Sequence, residues 1–302
     1  MNDRNCEVTC NKDENGNCSI DGSDGLPIQC VGPWAEDKYF FLERYLNASC
    51  EARRKFADKG NAVILDLFSG PGKCIIKNDS REILSGGMRA LTRDEAKFNE
   101  SVCFDISESN VAALRERAKL VSSCQIICGD SNNLIEGVVR ELLKKSYRYH
   151  FAFIDPFGPE GLKFKTIQEL AKLPRLDILL HFPIGAIKRN LPAWKKSGGE
   201  ILTNFLGTDS WINEIKKDSG DNVYRILIDI YKNQLKKIGF PEEGLKVAQS
   251  RSDIYAGLPT VSVKNTQNVD LYLLILASKH KVAQKIWSSI IKKSRDGQKE
   301  LF

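Results

Sequence analysis

The stretch Ala62-Val63-Ile64-Leu65-Asp66-Leu67-Phe68-Ser69-Gly70-Pro71-Gly72 decides the fold class. An apolar run through Phe68 is what a strand covered on both faces requires. The Gly-Pro-Gly that follows lets the backbone turn sharply and approach a ligand closely. Six further short apolar runs lie beyond it: Val102–Phe104, Gln125–Cys128, Phe151–Ile154, Ile178–Phe182, Thr260–Val263 and Leu271–Ala277. Segments with helical spacing (Met88–Leu91, Ser109–Val121, Leu134–Lys145, Phe164–Leu173) separate the first five strands. Alternating strands and helices call for parallel pairing through right-handed crossovers. Only Lys264–Asp270 joins the last two runs, too short for a parallel crossover, so they are expected to form an antiparallel hairpin. The expected architecture is a doubly wound α/β sheet of seven strands, five parallel strands followed by that terminal hairpin. About 75 residues separate the fifth and sixth strands, too many for one loop. Helical patterns near Ile201–Phe205 and Val223–Ile238 make this stretch, roughly 185–255, a helical insertion.

Outward from this core, Ala35 to about Phe56 has helical spacing and reads as a leading amphipathic helix. Residues 1–30 are rich in Asn, Asp, Gly and Cys, with two basic and six acidic residues. Such a composition predicts an acidic, disordered tail that folding does not need, leaving 31–302 as the domain. Cys6, Cys10, Cys18 and Cys30 are separated by 3, 7 and 11 residues. Compact zinc sites use pairs two to four apart, which only Cys6 and Cys10 match, so free thiols are expected in preference to a zinc site. The whole chain has 302 residues, 42% hydrophobic and 28% charged, an ordinary globular balance. No apolar run reaches membrane-spanning length and the start lacks a signal-peptide core, so a cytoplasmic protein with no membrane partner is expected. The net charge of +6 is uneven: residues 161–302 carry 24 Lys+Arg against 14 Asp+Glu, and residues 1–160 carry 21 against 25. A basic half fits an anionic partner such as nucleic acid; a solvated lysine surface fits almost as well.

Three further strands end on acids. Open α/β sheets bind ligands at the carboxyl ends of their strands, so Asp66, Phe68, Gly70 and Gly72 become candidate ligand residues. The glycine spacing is not the dinucleotide fingerprint, since Lys73-Cys74-Ile75 follow where a third glycine is needed. Asp105, in Cys103-Phe104-Asp105-Ile106-Ser107, can accept hydrogen bonds from ribose hydroxyls of an adenosine-containing cofactor. Its long spacing from Gly72 is attributed to a loop at Ile75–Ser85, inserted before a helix beginning near Gly86-Gly87. Asp130 and Ser131, in Cys128-Gly129-Asp130-Ser131-Asn132, can meet an adenine edge or cap the next helix, with equal claim. Asp155, Pro156 and Phe157 follow the fourth strand. There a carboxylate and the Pro156 carbonyl can accept the two N–H bonds of an exocyclic amine, favouring its nucleophilic form, while Phe157 stacks on the ring. A plain proline turn is the alternative. The three acids and the glycine turn are expected to face one crevice.

These motifs resemble those of class I S-adenosylmethionine-dependent methyltransferases. Asp155-Pro156-Phe157-Gly158 is similar to the Asp-Pro-Pro-Tyr class of amino-methyltransferases, including the tRNA guanine N2 enzymes. Over roughly 27–290 the chain more closely resembles the three-Cys-motif partner protein family. Val31-Gly32-Pro33-Trp34 with Lys38, Ser85-Gly86-Gly87, His181-Phe182-Pro183 and Ala277-Ser278-Lys279-His280 carry that resemblance, with the motifs above. It implies strand order 3-2-1-4-5-7-6, S-adenosylmethionine as cofactor, and a neighbouring radical-SAM-like protein with a triple-cysteine motif as partner. Asp66, Phe68, Gly70, Gly72, Asp105, Asp130 and Ser131 would then hold the cofactor. Asp155, Pro156 and Phe157 would orient a nucleobase or nucleotide amine. No Pro-Cys pair occurs in the chain, which removes a cysteine-nucleophile methyltransferase. The rival reading is a non-catalytic module that binds S-adenosylmethionine, or nothing, and docks the cysteine-motif protein. His181 reads as a structural, hydrogen-bonded histidine or a base, and His280 carries less weight. Lys188, Arg189 and Trp194 can meet phosphate and base, or simply line a solvated helix face.

Overall fold

The computed structural model describes residues 11–12, 18–77, 79, 81–121, 123–217, 223–241, 260–264 and 270–291. Its contacts divide the chain into two units, Met1–Ser131 with Tyr147–Phe153, and Asn132–Ser146 with Ile154–Phe302. Among the described residues no helix is long and apolar enough to cross a membrane.

In the first unit the chain runs β1 (Asn11–Lys12), β2 (Cys18–Asp21), β3 (Pro27–Val31), α1 (Trp34–Ala48), α2 (Cys50–Ala57), β4 (Ala62–Asp66), β5 (Lys73–Ile76), β6 (Glu82–Leu84), α3 (Gly86–Leu91), β7 (Glu100–Asp105), α4 (Glu108–Arg117), β8 (Cys124–Cys128) and β9 (Tyr149–Ile154). Strands β8, β7, β4 and β9 pair side by side, all parallel, with Leu65 opposite both Val102 and Ala152 and Val102 opposite Gln125. Every residue of β4 is buried, as its apolar run requires of a strand with neighbours on both edges and cover on both faces. Parallel pairing brings the carboxyl ends of β4, β7 and β8 to one edge. Tyr45 of α1 stacks on Phe151 of β9 at 5.7 Å, fixing the leading helix on this sheet.

A second sheet was not legible from the apolar runs. β3 pairs with β5 in parallel, β1 with β2, β2 with β3 and β5 with β6 antiparallel. Residues 18–30, inside the segment whose composition predicts a tail, therefore belong to the β2–β3 hairpin. Backbone ladders stabilise them, with little apolar burial beyond Ile28, which is fully buried. Cys6 and Cys10 lie outside the described residues; Cys18 and Cys30 stand on β2 and β3. The stretch Ile75–Ser85, expected to be an inserted loop, forms most of the β5–β6 hairpin and leads directly into α3.

The second unit takes in α5 (Ser131–Leu143), which starts at the boundary, then α6 (Phe164–Leu170), β10 (Leu176–Phe182), α7 (Ile184–Lys196), α8 (Glu200–Leu206), α9 (Trp211–Lys217), α10 (Val223–Lys237), β11 (Thr260–Lys264), β12 (Asp270–Ser278) and α11 (Lys281–Ile290). β11 and β12 form the expected antiparallel hairpin, and β12 lies antiparallel against β10, Leu276 opposite Leu179. The insertion is helical through α7 to α10, and its part at 242–259 lies outside the described residues. Phe164, Phe182 and Phe205 surround the Tyr231 ring at 5.3–5.4 Å. That aromatic cluster is the core on which the insertion packs.

Candidate active site

The two strand-ending acids of the first unit have different fates. Asp66 is 1% exposed. Its Oδ1 accepts the Phe68 N–H at 3.2 Å, and its Oδ2 stands where a Cβ on Gly87 would be, 1.9 Å away. The start of α3 can approach the acid this closely only because residue 87 has no side chain. Gly86 is constrained similarly: a Cβ there would lie 2.4 Å from the Phe153 ring. The Ser85-Gly86-Gly87 motif thus seats a helix on the strand ends, with Ser85 capping it. Asp66 is an interior group that shapes the turn.

Asp105 is the acid that touches the glycine turn. Its Oδ2 accepts the Gly70 N–H at 2.8 Å, while Oδ1 accepts the Ser107 N–H at 2.9 Å and Asn110 Nδ2 at 3.1 Å. Charge-assisted bonds of this kind are roughly twice as strong as neutral ones, so the carboxylate is held in one orientation at the end of β7. Gly70 itself adopts φ +59°, a left-handed conformation that disfavours any residue with a Cβ. Ser69 donates from its N–H to the Phe104 carbonyl at 2.9 Å, and Gly129 donates to the Asp105 carbonyl at 2.9 Å. The turn after β4 and the turn after β8 are thereby both tied to β7. Phe68 is half-buried on the first turn, and Asp130 and Ser131 follow Gly129, Asp130 half-buried and Ser131 buried at the start of α5. Gly72 faces inward: a Cβ there would meet Leu114 at 3.0 Å and Met88 at 3.1 Å. It packs the turn onto α4 and α3. One residue that sequence reasoning passed over is Ile106, 60% exposed directly beside Asp105. An apolar side chain placed immediately after a strand-ending acid, in a turn, is the signal that could have found it.

In the second unit Asp155, Pro156 and Phe157 form a separate feature. Asp155 Oδ1 lies 2.5 Å from His181 Nδ1, with only 13% and 11% of the two side chains exposed. With Nδ1 protonated, the ring donates to Oδ1 and leaves the rest of the carboxylate's acceptor capacity to other donors. The His181 ring is itself held edge-on by Tyr272 at 4.0 Å. The pair joins His181 to the candidate acceptor-orienting residue, Asp155, an arrangement that fits a structural histidine and a base alike. Pro156 is buried while Phe157 is 69% exposed, a large ring displayed at a rigid turn. Nearby, Asn132 ties α5 to the segment after this turn, donating to the Gly161 carbonyl at 2.9 Å and accepting from Thr166 at 2.6 Å.

Trp194 is buried in α7 and offers no face to a base, and Lys188 stands over the Tyr224 ring at 5.0 Å. Nδ1 of His280 accepts the Val282 N–H at 3.2 Å as the cap of α11.

No family model and no curated protein matches the chain. Solved structures similar to it include an O-methyltransferase from Bacillus cereus in complex with SAH, at 14% identity and a TM-score of 0.36, covering 81% of this chain and 97% of that one. Trm1 from Pyrococcus horikoshii in complex with S-adenosyl-L-methionine is 13% identical with a TM-score of 0.39, covering 91% of this chain and 64% of that one.

Proposed function

We propose that the chain is an S-adenosylmethionine-dependent methyltransferase acting on an exocyclic amine of a nucleobase or nucleotide. The sheet is read in the order 3-2-1-4-5-7-6, which the parallel order 3-2-1-4 of the first unit and the antiparallel order 5-7-6 of the second support. The resemblance to three-Cys-motif partner proteins adds the cysteine-motif protein as a partner.

The residues suit the cofactor. Asp105 presents a fixed carboxylate for a ribose diol, Ile106 an exposed apolar surface for a base, and Gly70 a bare backbone for close approach. Asp130 and Ser131 would complete the adenine side, and Phe68 and Gly72 shape the turn that Asp66 fixes from within. When bound, the cofactor supplies an electrophilic methyl group on a sulfonium.

The observation that carries the acceptor assignment is an exposed Phe157 ring two residues from a carboxylate locked by His181. Stacking on Phe157 would fix the plane of an aromatic amine. Asp155 and the Pro156 carbonyl would accept its N–H bonds, withdrawing the nitrogen lone pair from the ring and pointing it at the methyl donor. His181 holds the Asp155 carboxylate in the orientation this requires.

The test is tritiated methyl transfer from S-adenosylmethionine into total RNA, DNA and small-molecule extracts. Once an acceptor is labelled, Asp155→Ala should lower transfer by roughly 10²-fold or more, while affinity for S-adenosylhomocysteine stays near wild type. If no extract is labelled and binding of the cysteine-motif partner survives Asp155→Ala, the docking reading replaces this one.

A further inference from the structure

The second sheet of the first unit reaches the glycine turn. β3 runs parallel to β5 with Gln29 level with Cys74, two residues past Gly72. The Gln29 side chain consequently lies against Gly70: a Cβ built there would stand 2.9 Å from Gln29 Oε1, 3.4 Å from its Cδ and 3.6 Å from Nε2. Gln29 is half-buried, and its amide has no hydrogen-bond partner among the described residues. Asp105 bonds the Gly70 N–H on one side of that residue, and the Gln29 amide covers its Cα on another.

The placement is braced. Arg117, its side chain 5% exposed, makes a two-pronged ion pair with Asp24 at 2.7 and 2.9 Å. The same guanidinium donates to the Pro27 carbonyl at 2.8 Å and to the Pro71 carbonyl at 2.6 Å. One buried group therefore fastens the β2–β3 hairpin and the glycine turn to each other. Lys73 adds a second tie to Asp24 at 3.0 Å, and Ser23 bonds Glu82 through both its N–H and its hydroxyl.

We propose that Gln29 is a cofactor-binding residue whose amide pairs with the amino-acid end of the adenosyl cofactor. This rests on the methyltransferase reading above. The amino-acid end is zwitterionic, and a primary amide is the side chain that serves both its charges: Oε1 accepts from the ammonium and Nε2 donates to the carboxylate. The ties above fix the backbone that carries Gln29, so binding through its amide orders a side chain and not a loop, which lowers the entropic cost of the contact.

Calorimetric titration with two ligands isolates the contact. S-adenosylhomocysteine has the amino-acid end; 5′-methylthioadenosine shares its adenosine and thioether but lacks that end. In Gln29→Ala, and in the near-isosteric Gln29→Met, affinity for S-adenosylhomocysteine should fall about tenfold or more, the scale for a hydrogen bond to a charged group. Affinity for 5′-methylthioadenosine should stay within about twofold of wild type, which also shows that the variants remain folded. Equal losses for both ligands would mean that Gln29 only shapes the turn, and unchanged affinity for both would mean that it does not bind; either overturns the inference. A wild-type protein that binds neither ligand removes the methyltransferase reading and this inference together. Wild-type binding of both, with discrimination unaltered in the variants, removes the inference alone.

Discussion

Replacing Arg117 with alanine probes what joins the two sheets of the first unit. The guanidinium makes five bonds: two to the Asp24 carboxylate and one each to the carbonyls of Leu26 at 3.2 Å, Pro27 at 2.8 Å and Pro71 at 2.6 Å. Bonds to a charged group contribute about 1.5–3 kcal/mol each, and partners left buried without one lose more. Asp24 is 30% exposed and keeps Lys73, so it is partly resolvated in the variant and the losses do not add in full. About 3 kcal/mol is the expected destabilisation. Urea unfolding measures it globally, and amide hydrogen exchange measures it locally, as lost protection over residues 18–31. Arg117→Lys keeps the charge without the planar fork and should recover less than half. The effect also has a pH signature. Arg117 holds the Asp24 carboxyl well below the usual carboxylate range, chiefly through their hydrogen bond. A depressed folded-state value gives stability that is present above the unfolded value, about 4, and is lost as pH falls from there toward the folded one. The difference between wild type and Arg117→Ala should therefore shrink below pH about 4. An Arg117→Ala protein within about 0.5 kcal/mol of wild type, with exchange over 18–31 unchanged, would refute the brace.

Gly87→Ala should destabilise by about 3 kcal/mol or more in urea unfolding, because its Cβ would overlap Asp66 Oδ2 and that carboxylate, 1% exposed, has no room to withdraw. The double variant Gly87→Ala, Asp66→Ala should regain part of the loss, and a purely additive double would exclude the clash as its cause. Tyr231→Phe should raise stability by about 1 kcal/mol, read as a higher melting temperature, since its hydroxyl is buried without a hydrogen-bond partner among the described residues. Burial alone pushes that phenol far above its ordinary range, and a lower melting temperature in the variant would show that the hydroxyl has a partner after all.

The elements legible in the sequence are those that bury apolar residues periodically. β4, β9 and β10 are mostly apolar and β7 carries the shorter run Val102–Phe104, and the short join at Lys264–Asp270 left only a hairpin as the geometry for β11 and β12. β2, β3 and β6 were not legible, because their residues are mostly half-buried and their stability comes from backbone ladders and the Arg117 and Glu82 ties. Side-chain patterns do not record such bonds. Site residues divide in the same way. That acids end β4 and β7 follows from the sequence, but that Asp66 is sealed from within does not, because it depends on the glycine at position 87 admitting a helix against that acid. Trp194 shows the converse, an aromatic among basic residues that the fold turns inward. This difference in fates bears on how the site is tested. Asp105 carries the Gly70 and Ser107 N–H groups and Asn110 as well as any ribose, so removing it disturbs the turn and the ligand contact together. Gln29 carries no such bond among the described residues. Removing its amide deletes the proposed ligand contact and leaves the turn's own hydrogen bonds in place, so a truncated ligand reads that contact separately at Gln29 but not at Asp105.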